Sequence, residues 1–399
     1  MLANMNRIRT TMEKHDLAVL VSTTLENVFY VSDYRPLHRA YQAMKGVSTF
    51  AITPREKGIE PAIVASISDV AWMDLLFLKL GWIKDVRPYG LRSIEYPTGA
   101  RLSKLEEKMR DLISENVAKD AIEALVQTLK KKGLDRASIG LDEMGVTHSA
   151  FERITKELPN AKIVKAYEIL REIRMVKTEE EVGRIRKSAA ITEKAMMSMM
   201  HIVRSGITWK ELSDHFVKSI VQEGAIPVFW TIGMGSNSYL STMPSTFRLS
   251  KGDIVRLDLG CIYDGYYSDT ARTAVLGDPT QKQKTYYKAI LAGQQKALEA
   301  TKPGVRAHEL YDIATKNVRE AGIPEYGRYH CGHGIGAEIY EPPMLGPGYT
   351  APLEEGMVIC VETPYYELGF GGLQVEDTVV VTEDGFEYLT ENDRELYIL

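Results

Sequence analysis

The feature that most constrains the fold is an aspartate–glycine pair, Asp264 and Gly265, between two segments rich in apolar and β-branched residues. Such a pair is a strong signal for a two-residue hairpin turn. Residues 254–263 and 266–276 are therefore predicted to form two antiparallel strands joined by this turn.

The predicted hairpin brings two acidic side chains together. Asp258 lies opposite Ala271 in this register, and Asp269 is on the same face, diagonally next to Asp258. A bulge of one residue would put the two carboxylates on opposite faces, so their convergence depends on the turn.

A second strand–turn–strand unit follows near the C-terminal end. Residues 357–362 are predicted to enter, 367–372 to turn and 373–382 to leave. Glu362 and Glu376 lie on its two strands. Two such units, each with two carboxylates, indicate an internal duplication that builds one site.

The candidate metal ligands are four carboxylates and one imidazole: Asp258, Asp269, His333, Glu362 and Glu376. Any one acidic residue near a strand end is usually solvated, but all five in order within apolar strands favour a metal site. Such a set can hold two divalent cations about 3.5–4 Å apart, which lower the pKa of a trapped water and polarise a carbonyl group. The predicted chemistry is amide hydrolysis.

Three segments carrying these residues or preceding them have a familiar pattern: residues 170–189, 252–258 and 356–362. Together with the candidate ligands they resemble the pita-bread-fold metallopeptidases. This family includes methionine aminopeptidase, aminopeptidase P, prolidase and the metal-free relative creatinase. The similarity covers residues 170–382 and, more loosely, the N-terminal part, and the chain looks most like the Xaa-Pro dipeptidases, or prolidases.

The resemblance implies a role for each ligand. Asp258 would chelate one metal ion, His333 and Glu362 the other, and Asp269 and Glu376 would bridge the two. It also implies a homodimer that cleaves a small peptide through a hydroxide held between the ions, with Glu362 as proton acceptor.

Three positions depart from the family pattern. Tyr340 stands where relatives have a second histidine, Thr242 where they have an upstream histidine, and Gln374 where prolidases have an arginine. These groups contact substrate in relatives, so Thr242 and Gln374 are candidate substrate-binding residues. Tyr340 is a candidate catalytic residue, because a phenol can donate a hydrogen bond to an oxyanion.

The ligand types also constrain the metal. An oxygen-rich site with one imidazole and no thiolate favours Mn²⁺ or Co²⁺, with Fe²⁺ or Zn²⁺ as alternatives. The three cysteines, Cys261, Cys331 and Cys360, each lie within three residues of a candidate ligand. We interpret them as small apolar packing residues, with Cys331 as a candidate spare ligand.

The predicted fold class is α+β with two domains. Residues 1–172 are expected to form a smaller α/β domain of the creatinase/prolidase type, with one helix over 110–132. Residues 173–399 are expected to form the pita-bread catalytic domain, a curved antiparallel sheet covered by helices. The helices predicted there are 178–204, 208–223, 281–301 and 305–321.

Composition excludes several classes of function. The 399 residues carry a formal net charge of −5, and no basic tract suggests nucleic-acid binding. No apolar run is long enough to span a bilayer. The first residues are typical of an amphipathic helix and not of a signal peptide, so a cytoplasmic protein is expected.

A cationic segment containing His38 and Arg39 follows an early strand. It is most simply a solvated loop. In dimeric relatives the N-terminal domain reaches towards the partner's active site, so this loop is also a candidate for binding a substrate anion.

Two alternatives to a peptidase remain. One is a metal-dependent hydrolase of a small non-peptide amide, of the creatinase or ectoine-hydrolase type. The other is a non-catalytic pseudo-peptidase that binds a partner. The complete ligand set favours an enzyme, because clustered carboxylates without a metal repel each other.

Overall fold

The computed structural model describes residues 2–35, 49–69, 82–90, 95, 97–114 and 117–399. The chain divides into two compact units, Met1–Arg174 and Met175–Leu399. Within the described ranges, no helix has both the length and the apolar character needed to cross a membrane.

The first unit is an α/β sandwich around a mixed sheet. Its described helices are Met5–Lys14 (α1), Leu25–Ser32 (α2), Lys104–Ser114 (α3), Ala121–Lys131 (α4), His148–Glu157 (α5) and Tyr167–Arg174 (α6). Its described strands are Val19–Ser22 (β1), Phe50–Pro54 (β2), Ala62–Ser66 (β3), Asp85–Tyr89 (β4), Ser138–Leu141 (β5) and Lys162–Lys165 (β6). The strand order is β4-β3-β2-β1-β5-β6, and β2 is antiparallel to both its neighbours. Separate apolar clusters cover the two faces.

The single helix predicted over residues 110–132 is wrong, because α3 and α4 are separate helices. Asp120 is the N-cap of α4, and its carboxylate accepts the N–H groups of Ile122 and Glu123, both at 3.0 Å. Just before this cap, Ala118 pairs with the end of β4 in an isolated bridge. These bonds satisfy backbone groups outside a helix, which the periodicity of apolar residues does not reveal.

The second unit contains four described helices and twelve described strands. The helices are Glu179–Ile202 (α7), Trp209–Gln222 (α8), Gln281–Ala300 (α9) and Ala307–Glu320 (α10), so the four predicted here are confirmed. The strands are Ile226–Met234 (β7), Ile254–Tyr263 (β8), Tyr266–Tyr267 (β9), Thr270–Val275 (β10), Gly332–Gly334 (β11), Glu341–Met344 (β12), Val358–Glu362 (β13), Tyr365–Glu367 (β14), Gly371–Leu373 (β15), Glu376–Val381 (β16), Phe386–Tyr388 (β17) and Tyr397–Ile398 (β18).

One antiparallel sheet dominates this unit, in the order β12-β11-β13-β16-β10-β8-β7. Helices α7 and α8 pack against one face of β7 and β8. Helices α9 and α10 pack against the same face of β13 and β16. Alternate residues of each strand therefore face the helices, and the residues between them face the other side of the sheet.

The first predicted hairpin is confirmed in turn and register. Asp264 and Gly265 both have positive φ, 46° and 85°, as a two-residue turn of this type requires. Asp258 pairs with Ala271. The return strand is interrupted, however, because residues 268–269 lie between β9 and β10.

The second predicted hairpin is also present, with its tip forming a separate two-stranded sheet. Strands β13 and β16 are antiparallel, and Glu362 pairs directly with Glu376. Strands β14 and β15 continue this pairing as the tip. Each hairpin therefore carries two of the acidic candidate ligands, Asp258 and Asp269 in the first and Glu362 and Glu376 in the second.

Candidate metal centre

The sheet register aligns acidic side chains from three strands in one row. Glu362 on β13 pairs with Glu376 on β16, which pairs with Ala271 on β10, which pairs with Asp258 on β8. Paired residues direct their side chains to the same face. Three carboxylates therefore face away from the helices together, and Asp269 lies just before β10, two residues from Ala271.

The imidazole reaches the same face through the neighbouring strand. His333 on β11 pairs with Cys360, which is two residues from Glu362 on β13. Its Nε2 lies 3.5 Å from Asp269 Oδ2. Ligand atoms of Asp269, His333, Cys360 and Glu376 all lie within 4.8 Å of one another, and all four residues are buried.

Three of these groups have buried polar atoms with no hydrogen-bond partner among the described residues: Asp269 Oδ1, His333 Nε2 and Glu376 Oε1. Native proteins rarely leave buried polar atoms unsatisfied. The other ring nitrogen, His333 Nδ1, lies 2.9 Å from the carbonyl oxygen of Gly334. If it donates there, Nε2 presents a lone pair to the cluster, as a metal-binding histidine does.

The charges also fit a cation. Burial, followed by the nearby Asp258, raises the pKa of Asp269 well above its usual value, and burial followed by Asp269 does the same for Glu376. Burial raises the pKa of Glu362 to about 7 and that of Asp258 in the same direction. Burial lowers the pKa of His333. Burial and mutual repulsion outweigh the nearby positive charge of Arg256 and Arg328, and divalent cations would supply the charge that is missing.

Gln374 and Arg256 form a second layer behind the carboxylates. Gln374 Nε2 donates to Glu362 Oε2 at 3.1 Å and to Glu376 Oε2 at 3.3 Å. Its Oε1 accepts from Arg256 Nη1 at 2.8 Å and from the Tyr366 hydroxyl at 3.3 Å. Gln374 thus lies beside two candidate ligands, where sequence reasoning placed a substrate contact.

Sequence reasoning missed Arg256, which is buried and 3.5 Å from Asp258 Oδ2 through Nη1. A signal was available, because Arg256 precedes Asp258 by two residues on β8 and therefore shares its face. Its Nε also donates to the carbonyl oxygen of Ser238 at 2.8 Å. Arg256 is anchored to the protein and is oriented towards the cluster.

His330 was also missed, and no motif marks it. Its Nδ1 lies 3.4 Å from Glu362 Oε1 and 3.3 Å from the backbone nitrogen of Gly332, which donates to it. Burial, followed by the neighbouring His333 and Arg328, lowers the pKa of His330 to about 4. The ring is therefore neutral at neutral pH, with its proton assigned to Nε2.

Tyr340 stacks on the imidazole of His333, with ring centroids 3.8 Å apart and planes 21° apart. It is 45% exposed, so one side of the ring remains open to solvent. Burial and the nearby carboxylates, Glu362 first, raise the pKa of its hydroxyl above the usual value. The hydroxyl stays protonated beside the candidate ligands.

The remaining candidates are placed differently. Thr242 is exposed, in the irregular segment between β7 and β8. His38 and Arg39 lie outside the described residues. The structure therefore brings the five candidate ligands, Tyr340 and Gln374 into one region, and adds Arg256 and His330.

Comparison with known families gives two matches. The pattern of metallopeptidase family M24 matches residues 183–383, which contain all five candidate ligands. The pattern of the creatinase/prolidase N-terminal domain matches residues 91–176.

Individual relatives agree with these matches. The Xaa-Pro dipeptidase of Pyrococcus horikoshii is 34% identical over 290 residues, which cover 70% of this chain and 82% of the relative. The Xaa-Pro dipeptidase of Pyrococcus furiosus is 37% identical over 247 residues, 60% of this chain and 70% of the relative. The crystal structure of the Pyrococcus horikoshii prolidase superposes with a TM-score of 0.75 at 26% identity, covering 98% of this chain and 99% of that one.

Proposed function

The chain belongs to metallopeptidase family M24 and is a peptidase, and we propose that it is an Xaa-Pro dipeptidase or an aminopeptidase P-like enzyme with a two-metal centre. Its proposed ligands are Asp258, Asp269, His333, Glu362 and Glu376. One observation carries the proposal: Asp269, His333 and Glu376 are buried with ligand atoms within 4.8 Å of one another, and each has a buried polar atom without a hydrogen-bond partner among the described residues.

When bound, two divalent cations would lower the pKa of a water molecule and polarise the carbonyl of a peptide bond. The chain's own residues would do the rest. Gln374 orients Glu362 and Glu376 through one amide nitrogen. Glu362 is the proposed proton acceptor.

Stabilising the oxyanion requires a hydrogen-bond donor, and two neutral donors lie close to the cluster. Tyr340 retains its hydroxyl proton, because burial and the carboxylates raise its pKa. His330 is neutral and has Nε2–H available by its assigned tautomer. Thr242 is exposed, and its contact with substrate stays a prediction.

We propose Mn²⁺ or Co²⁺ as the cations, with Fe²⁺ or Zn²⁺ as alternatives. Asp258, Asp269, Glu362 and Glu376 supply oxygen donors, and His333 supplies nitrogen. Carboxylate oxygens suit Mn²⁺, and imidazole suits the later transition metals. The relatives give no support to a non-peptide amide substrate or to a non-catalytic binding protein.

Four further proposals concern the domains, assembly, substrate contact and location of the enzyme. The domain boundary between residues 172 and 173 and the homodimer remain proposals from sequence. The contact of His38 and Arg39 with a substrate anion depends on that dimer. A cytoplasmic location is supported by three free cysteines, which suit a reducing compartment.

A substrate screen tests the proposal. Purified protein loaded with Mn²⁺ would be assayed on Xaa-Pro dipeptides, longer Xaa-Pro peptides, dipeptides without proline and small cyclic amides. We expect turnover of Xaa-Pro substrates, and the ratio of dipeptide to longer-peptide kcat/KM separates dipeptidase from aminopeptidase P activity. Turnover of cyclic amides alone would contradict the proposal.

A further inference from the structure

A thiol lies inside the proposed metal cluster. Cys360 is the central residue of β13 and pairs with His333 on one side and with Thr378 on the other. It is fully buried. Its sulfur lies within 4.8 Å of ligand atoms of His333, Asp269 and Glu376. The sequence had indicated a site without a thiolate.

The other two cysteines do not share this position. Cys261 faces the helices, where the hydroxyl of Thr192 lies 3.3 Å from its sulfur and that of Ser188 3.4 Å. Cys331, which sequence reasoning named as the spare ligand, precedes β11 and is absent from the cluster found among the described residues. Of the three cysteines, only Cys360 lies in the cluster with Asp269, His333 and Glu376.

The hydrogen bonds around Cys360 leave its sulfur able to turn towards a cation. The Thr378 hydroxyl donates to the carbonyl oxygen of Asp269 at 2.7 Å, so its proton is committed. The sulfur lies 3.3 Å from this hydroxyl oxygen. The thiol proton therefore points to Thr378, and the sulfur lone pairs remain for the cluster.

We propose that Cys360 Sγ is an additional ligand of the cation that His333 and Glu362 would hold, beside one oxygen each from Asp269 and Glu376. The inference rests on the proposed function, since it assumes a metal centre. A sulfur and an imidazole nitrogen among the donors suit a more thiophilic ion, Zn²⁺ or Co²⁺, better than Mn²⁺.

Coordination by Cys360 exchanges a proton for the cation. The sulfur–hydrogen bond breaks, the proton leaves to solvent, and the thiolate forms a bond to the cation without any change of oxidation state. Three of the donors are already fixed by buried positions in the sheet, since His333 and Glu376 are each 1% exposed and Asp269 is 5% exposed. Cys360 is held on the same face by its strand.

Cadmium is a suitable probe, because it is thiophilic and absorbs in the near ultraviolet only when a thiolate is bound. Metal-free wild-type protein would be titrated with Cd²⁺ while absorbance and bound metal are measured. We expect a thiolate-to-metal charge-transfer band that saturates with one cation. Cys360→Ser should lose this band, and Cys261→Ser, the matched control, should retain it.

Affinity gives a second readout that a merely structural role would not produce. Cys360→Ser should weaken Cd²⁺ binding by about 10- to 100-fold, the range for removing one residue that supports a metal site. Mn²⁺ binding should stay the same. Equal weakening for both metals would contradict a ligand role.

The spectrum also separates the two proposals. Two bound cations without the band in wild-type protein would overturn the Cys360 inference and leave the proposed function intact, whereas failure to bind any divalent cation would overturn both. A band lost in Cys331→Ser and kept in Cys360→Ser would identify Cys331 as the ligand and overturn the Cys360 inference. The wild-type spectrum is decisive even if Cys360→Ser does not fold.

Discussion

Two neighbouring acidic residues on β16, Glu376 and Asp377, face opposite sides of the same sheet and meet opposite surroundings. Both are fully buried. Asp377 faces the helices, where Arg272 Nη2 lies 2.7 Å and Arg394 Nε 3.0 Å from its carboxylate. Glu376 receives one bond from Gln374, and its Oε1 has no partner among the described residues.

The pKa values follow this difference. Burial alone would raise both. At Asp377, Arg272 and Arg394 outweigh burial, and the pKa is lowered. At Glu376, burial and the carboxylates of Asp269 and Glu362 act in the same direction, and the pKa is raised well above its usual value. Asp377 is neutralised by arginines of the protein itself, whereas Glu376 becomes neutral only by taking up a proton or by binding an external cation.

The largest expected effect comes from removing a proposed bridging carboxylate. Glu376→Gln and Asp269→Asn keep the shape of the side chain but remove the negative charge that would hold both cations. We expect kcat/KM to fall by at least about 10⁴-fold, the scale at which members of one catalytic unit act together. Metal content measured on the same samples should fall, and circular dichroism should show a folded protein. Retained turnover in either variant would remove that residue from the bridge.

The matched change on the opposite face should act on stability. Asp377→Asn leaves the buried Arg272 without its charged partner, which costs about 3–5 kcal/mol of unfolding free energy. Urea denaturation would measure it. The folded fraction should still bind two cations. If Asp377→Asn lost metal as Glu376→Gln does, the distinction between the two faces would fail.

A smaller effect is expected at the edge of the site. Tyr340→Phe should lower kcat by about 10²–10³, the cost of losing one oxyanion donor, with metal content unchanged. Because the phenylalanine ring can keep the stacking on His333, the variant isolates the hydroxyl. Equal kcat in the two proteins would show that Tyr340 only packs, and lower metal occupancy would show that it supports the metal site.

The smallest effect concerns Glu181, a buried carboxylate with mostly neutral donors. It accepts bonds from the Tyr266 hydroxyl at 2.9 Å and the Thr178 N–H at 2.8 Å, yet burial raises its pKa from 4.5 to about 7. A pKa raised on folding means that its contribution is present at low pH and is lost as the pH rises through 7.

Wild-type protein should therefore lose about 2–3 kcal/mol of unfolding free energy between pH 5 and pH 8 relative to Glu181→Gln. Denaturation at both pH values, on metal-free protein, would measure the difference. An identical pH dependence in the two proteins would show that Glu181 does not carry the effect.

The sequence predicted the parts of the site that depend on local chemistry. The Asp264–Gly265 turn determines the register that places Asp258 opposite Ala271. For the second hairpin the sequence predicted only that Glu362 and Glu376 lie on its two strands, and the structure pairs them directly. Turn type and strand period are encoded by neighbouring residues, so both could be predicted without the fold.

The parts that were missed depend on contacts between distant segments. Gln374 reaches Arg256 across β10, so the residues that neighbour Gln374 in sequence do not predict its role beside the carboxylates. His330 approaches Glu362 from an irregular segment that has no period. The break between α3 and α4 depends on a bridge from Ala118 to β4, which amphipathic spacing cannot indicate.

The most direct test of the central claim is a chelator titration in which bound metal and peptidase activity are measured on the same samples. The account predicts two divalent cations per chain, activity that falls as they are removed, and recovery when Mn²⁺ or Co²⁺ is added. Full turnover after exhaustive chelation, with bound metal near zero, would contradict it.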